Sequence, residues 1–198
     1  MKIEFWFDFA SSYSYPAAMS VEALAKKENV ELSWRPFLLG AIFNRQGWQD
    51  SPFNLYPAKG AYMWRDLERL CDELGLAFTR PSQFPRNGLL AARVACLSGD
   101  APWLADFIRA VFTANFADDL DIASPRVIAS CLEASGAHSA VILKKAQLPS
   151  AKSRLREQTE QASQRGLFGA PSFFVGEELF WGNDRLTSAL NWAVKNRY

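Results

Sequence analysis

The chain has 198 residues, 22 Lys and Arg against 21 Asp and Glu for a net charge of +1, and 49% of it is hydrophobic. The composition is that of a globular protein, and with no basic surplus it gives no reason to expect a nucleic-acid or membrane partner. Folding at this length buries about 70% of the surface, enough for one well-built domain or a domain with a large insert. A single His and three Cys without C-x-x-C spacing exclude a multi-histidine metal site, a Cys zinc site and a disulfide framework.

Residues 3–9 alternate, with Ile3, Phe5, Phe7 and Phe9 on one side and Glu4, Trp6 and Asp8 on the other, which predicts a strand. Glu4 and Asp8 also spoil this stretch as a signal peptide, and no apolar run approaches the about 20 residues that span a bilayer, so the expectation is a cytoplasmic protein. A hydroxyl-rich turn follows, with Pro16 expected at the first position of a helix that ends near Lys26 and Lys27, where cations suit the helix dipole. Residues 30–37 alternate again, and two strands joined by one helix predict a parallel βαβ unit with a right-handed crossover. Residues 40–58, punctuated by Gly40, Gly47, Pro52 and Pro57, are expected as loop.

From 59 to 167 the signals are helical. Leu67, Leu70, Cys71 and Leu74 form a stripe that Gly75 stops, and further helices are predicted over 88–98, 101–115, 124–134 and 138–165. Residues 172–175 and 179–181, around a Gly176-Glu177-Glu178 turn, predict an antiparallel hairpin, and 185–196 a closing helix. The order is βα-β, helices, ββ-α. It predicts an α/β fold in which 1–58 and 168–198 build one small sheet with helices, and 59–167 is an all-helical insert.

Ser11 sits where the first strand hands over to the first helix. Its hydroxyl either caps that helix or, with the helix N-terminus, stabilises an anion such as a thiolate. Pro171 precedes an internal strand, as a strand-start residue or in a cis turn that would aim the backbone of Ala170 toward Ser11. Gly182, Asn183 and Asp184 open the last helix, as a cap or as backbone N–H groups for a carboxylate with an acid for an ammonium group. Cys71, Cys96 and Cys131 lie on apolar helical faces and read as buried thiols. His138 has no partner in sequence, and Lys59 reads alone as a solvated cation. Phe37, Phe43, Trp48, Phe53 and Phe84 fall in irregular stretches and are candidates to line an aromatic pocket.

The segments F-W-F-D-F-A-S-S-Y-S-Y at 5–15, P-A-K-G-A-Y at 57–62, G-A-P-S-F at 169–173 and W-G-N-D-R-L at 181–186 together resemble the 2-hydroxychromene-2-carboxylate isomerases, relatives of kappa-class glutathione transferases in the DsbA-like branch of the thioredoxin fold. The resemblance runs in order along essentially the whole chain. It implies a thioredoxin-like domain interrupted by the helical insert, bound glutathione, and a homodimer.

By motif position, Ser11 would hold the glutathione thiolate. Ala170, before a cis-Pro171, would pair with the cysteinyl backbone. Trp181, Gly182, Asn183 and Asp184 would receive the γ-glutamyl group, and Lys59 a ligand carboxylate or nearby polar group. Ser12 stands where many relatives have Pro. Phe43, Phe53, Asn54 and Phe84 are the candidates to line the site of a small aromatic or conjugated acid. The activity implied is cis-trans isomerisation of a conjugated keto acid by reversible thiolate addition. The alternatives that share the same cofactor site are a kappa-class-like transferase or peroxidase and a non-catalytic glutathione-binding protein.

Overall fold

The structure, a computed structural model, describes residues 1–196; positions 197 and 198, assigned above to the thioredoxin-like part, lie outside the described residues. The first strand, β1 (Lys2–Phe7), leads through the Ser11 turn into α1 (Ser14–Lys27) and then β2 (Glu31–Pro36). The two strands pair in parallel, with Phe5 opposite Trp34. Near the other end of the chain, β3 (Ser172–Val175) pairs antiparallel with β1, Phe5 opposite Phe173, and β4 (Glu178–Trp181) closes the hairpin. The mixed sheet has the order β2-β1-β3-β4. This is the α/β order that the element pattern predicts and the thioredoxin-like fold that the resemblance implies.

Between the two halves of the sheet run α2 (Leu39–Arg45), α3 (Pro52–Leu55), α4 (Pro57–Glu73), α5 (Leu89–Ser98), α6 (Leu104–Phe116), α7 (Pro125–Ala134), α8 (Ser139–Ala146) and α9 (Pro149–Gln164). A 3-10 turn (Asn183–Arg185) precedes the closing α10 (Leu186–Lys195).

Both faces of the sheet are covered, so the alternation in β1 separates two cores rather than core from water. Phe5, Phe7, Phe9 and Phe173 join α1, α5, α6 and α10, with Phe5 stacked on Phe173 at 5.3 Å and Phe9 against Phe112 at 5.1 Å. Burying such a ring is worth about 1.5–3 kcal/mol, against about 0–1 kcal/mol for an exposed ion pair. The aromatic stack therefore outweighs the surface charges in holding the helices to the sheet. On the other face, Trp6 is buried with Phe174, Phe37, Ile42, Ala162 and Leu167 beneath α9. Phe37 is thus a core residue and not part of a pocket.

The structure corrects several sequence expectations. Helix α1 starts at Ser14, two residues before Pro16, because a proline in the first turn forfeits only an N–H that has no intrahelical partner. The expected loop 40–58 contains α2 and α3. Pro52 begins α3 rather than breaking it, with Ser51 Oγ accepting from the Phe53 N–H at 3.3 Å, and Pro57 begins α4. The stretch 138–165 is two helices, divided where Pro149 opens α9. Leu74 is exposed, and the buried stripe of α4 runs through Met63, Trp64, Leu67 and Cys71 instead.

Candidate functional site

The C-terminal end of β1 delivers the chain to a turn fixed by Asp8. This carboxylate is buried. One oxygen accepts from the Ala10 N–H at 2.8 Å and the other from the Leu39 N–H at 2.7 Å, so a single side chain ties the turn before α1 to the start of α2. Burial raises the Asp8 pKa, and the two backbone hydrogen bonds oppose that shift.

Ser11 follows, half-buried. Its hydroxyl does not cap α1. It donates across to the Ala170 carbonyl at 2.9 Å. The Ala170–Pro171 peptide bond is cis. The Pro171 carbonyl in turn accepts from the Gly182 N–H at 2.9 Å. Residues 11, 170, 171 and 182, scattered along the sequence, therefore form one hydrogen-bonded corner at the end of the sheet.

Gly182 has φ +110°, a conformation side chains rarely adopt, and the Asp184 carboxylate folds back over it, 2.5 Å from where a Cβ would stand. Asp184 is otherwise exposed and pairs with Arg185 at 3.5 Å. Trp181 lies half out of the surface, its indole over Gly169 and edge-on to Phe168 at 4.8 Å.

The other wall comes from α3 and α4. The buried Ser12 hydroxyl donates to Met63 Sδ at 3.0 Å, and Tyr13 donates to Asp66 at 2.9 Å. Burial, and then the Asp66 carboxylate, push the Tyr13 hydroxyl pKa up. Met63 lies one turn beyond Lys59, which is exposed in the first turn of α4 with its ammonium 5.9 Å from the centre of the Phe53 ring. Phe53 leans on Tyr13 at 6.2 Å, Asn54 donates to the Phe84 carbonyl at 3.1 Å, and Phe84 meets Trp64 edge-on at 4.8 Å. Phe53, Asn54 and Phe84 are thus brought together near the Ser11 turn. Phe43 is not: it sits in α2 with its ring against Trp48 at 5.3 Å.

The family model of DSBA-like thioredoxin domains matches residues 2–191. The chain belongs to that family. Among its relatives, the 2-hydroxychromene-2-carboxylate isomerase of Sphingobium xenophagum is 29% identical over 185 residues, covering 93% of each chain. Glutathione S-transferase kappa 1 of Homo sapiens is 27% identical, over 93% of this chain and 87% of its own. A solved 2-hydroxychromene-2-carboxylate isomerase superposes with a TM-score of 0.86 at 26% identity, over 100% of this chain and 96% of that one.

This DSBA-like domain has no C-x-x-C, and its three cysteines are free and buried. Burial pushes the Cys71 and Cys131 thiols up to about 11, so neither is a ready nucleophile. His138 is exposed at the start of α8. Among the described residues no helix is long and apolar enough to cross a membrane.

Sequence reasoning missed Asp8, Met63 and Asp66 as parts of the corner. Asp8 carried a readable signal, an acidic residue at the end of a strand otherwise built of large apolar side chains. The partnerships of Met63 and Asp66 depend on how α4 crosses the turn, which no local pattern encodes.

Proposed function

We propose that this chain is a glutathione-dependent cis-trans isomerase acting on an aromatic or conjugated keto acid, with Ser11 as its catalytic residue. The observation that carries the reading is the Ser11 hydroxyl held on the Ala170 carbonyl beside Pro171. A hydroxyl has one hydrogen to give. When it turns to a thiolate, the Ala170 carbonyl is released to accept a backbone N–H from the same ligand. Hydrogen bonding to the charged form lowers a thiol pKa, and the N-terminus of α1 adds favourable potential.

The remaining groups suit a γ-glutamyl peptide, which carries one ammonium and two carboxylates. Asp184 supplies the acid for the ammonium, Gly182 and Asn183 lie at the start of the 3-10 turn, and Trp181 offers an exposed flat face. Lys59 makes no ion pair among the described residues and is available to the far carboxylate.

Glutathione, when bound, supplies the nucleophilic sulfur that this chain lacks. The protein's own residues lower the thiol pKa, orient the two reactants, and gather Phe53, Phe84 and Asn54 against a planar acid. Phe43 has no part in this arrangement.

A kappa-class-like transfer or peroxidase reaction is the second reading, favoured by the similarity to the human kappa enzyme. It consumes glutathione where isomerisation does not. The test of the cofactor is a calorimetric titration of glutathione near neutral pH, with the ultraviolet thiolate band followed in parallel. Binding with a thiolate signal that weakens in Ser11→Ala is expected. No binding at millimolar glutathione would overturn the assignment.

A further inference from the structure

We propose that the cleft where α2, α5 and α9 meet beside the edge strand β2 is a second binding site, one that takes the carboxylate or phosphate group of a small organic anion. Arg45, Arg93, Lys152 and Arg156 line about 240 Å³ there, together with Leu89 and Leu155. None of these residues belongs to the Ser11 corner. Arg45 is already engaged by Glu160 at 2.5 Å. Arg93, Lys152 and Arg156 have no carboxylate partner among the described residues, and Arg93 Nε is buried with no hydrogen-bond acceptor at all.

A second observation comes from the helix that supplies two of the cations. The first half of α9 carries Lys152, Arg154 and Arg156 and has no acidic residue in its first turn. The chain as a whole is nearly neutral, so this is a local concentration of positive charge and not a share of a general surplus. The charge reaches further along the same junction. Burial raises the Cys96 thiol pKa, while Arg154 and then Arg35 pull it down and Glu157 opposes them.

The arginine forks match carboxylate and phosphate oxygens in pairs, and the leucines offer contact to a short apolar body. The volume is below that of a drug-sized pocket, which limits the ligand to a small molecule. The cleft is also wired to the turn that carries Ser11. Its Thr159 hydroxyl accepts from the Leu38 N–H at 3.2 Å, and the next N–H, of Leu39, is held by Asp8.

The test titrates inorganic phosphate and, separately, benzoate into the full chain at constant ionic strength, reading heat and thermal midpoint. The proteins compared are wild type, Arg93→Gln, Lys152→Gln with Arg156→Gln, and Ser11→Ala. Lys152 and Arg156 are exposed, so their pair of substitutions leaves the fold intact even where Arg93→Gln disturbs it. At least one anion is expected to bind the wild type and to bind at least tenfold more weakly to the Lys152/Arg156 variant, with Ser11→Ala unaffected. Phosphate alone binding marks a phosphoryl ligand, and benzoate alone an aromatic acid. Binding of neither anion at 10 mM, on the order of the weakest affinities that matter for small ligands, would overturn the proposal. So would binding that Ser11→Ala abolishes and the cleft substitutions spare. Glutathione binding that survives the cleft substitutions keeps the Ser11 reading separate from this one.

Discussion

The Ser11 hydroxyl gives its hydrogen to the Ala170 carbonyl, 2.9 Å away and 159 residues along the chain, and this bond spans the corner where the first strand meets the hairpin. In the reading above it is a resting contact, exchanged when ligand arrives for a bond to sulfur on one side and a bond from the ligand's backbone on the other. A hydrogen bond to a charged group is worth about 1.5–3 kcal/mol. Ser11→Ala is therefore expected to lower the thiolate fraction of bound glutathione about ten- to hundredfold at a fixed pH below its pKa. The native fold, which loses only one neutral hydrogen bond, changes by about 1 kcal/mol. The thiolate absorbance against pH, with and without the substitution, checks this. Coincident curves would refute the assigned role.

The wall formed by α3 and α4 depends on Gly60. A Cβ there would stand 2.2 Å from the Phe53 carbonyl oxygen, and backbone cannot swing aside as a side chain can. Gly60→Ala is expected to force the two helices apart, destabilising the fold by about 1–3 kcal/mol and moving Phe53 and Asn54 away from Lys59. Denaturant unfolding measures the first effect. A rise in KM for the acid substrate at saturating glutathione measures the second.

Two carboxylates impose opposite acid dependences. The Asp8 pKa is raised by burial in the folded state, so its contribution to stability declines as pH rises above the ordinary value of 3.8. The Asp119 pKa is lowered, first by the Ser82 N–H at 2.8 Å and then by the buried Arg86, so its contribution is present above 3.8 and is lost as pH falls through the lowered value. The wild-type advantage over Asp8→Asn should shrink as pH climbs above 3.8, and that over Asp119→Asn should shrink as pH falls below it. Urea titrations from pH 3 to 6, about the carboxylate range, distinguish the two signs.

The free thiols are expected to be silent. With Cys71, Cys96 and Cys131 buried and their pKa values raised, a thiol reagent at neutral pH should label none of them in the native protein and all three after denaturation. Rapid labelling of any of them in the native state would supply a protein nucleophile and weaken the case for a borrowed one.

Much of this architecture is legible in sequence because it rests on local signals. The alternation in β1 and β2, the turn at Gly176 and the lysines closing α1 each encode an element directly. The helices α2 and α3 were hidden because Gly40 and Pro52 read as breakers when they in fact occupy helix starts, where a proline costs little. Trp6, which the alternation sets on the side of Glu4 and Asp8, is buried because β1 lies between two cores. The site divides in the same way. Ser11, Ala170, Pro171 and Gly182 lie at element boundaries that sequence can mark, whereas the partners of Ser12 and Asp8, and the separation of Phe43 from Phe53, are set by helix crossings. The meeting of Arg93 from α5 with the cations of α9 is likewise set by helix packing, which nothing local in the sequence reveals.

The most direct measurement is conversion of 2-hydroxychromene-2-carboxylate by the purified protein, followed by absorbance with glutathione present or absent and with total thiol titrated throughout. The account predicts equilibration between isomers that requires glutathione, leaves total thiol constant and falls about ten- to hundredfold in Ser11→Ala. Isomerisation that proceeds equally well without glutathione, or that consumes thiol in step with substrate, would contradict it.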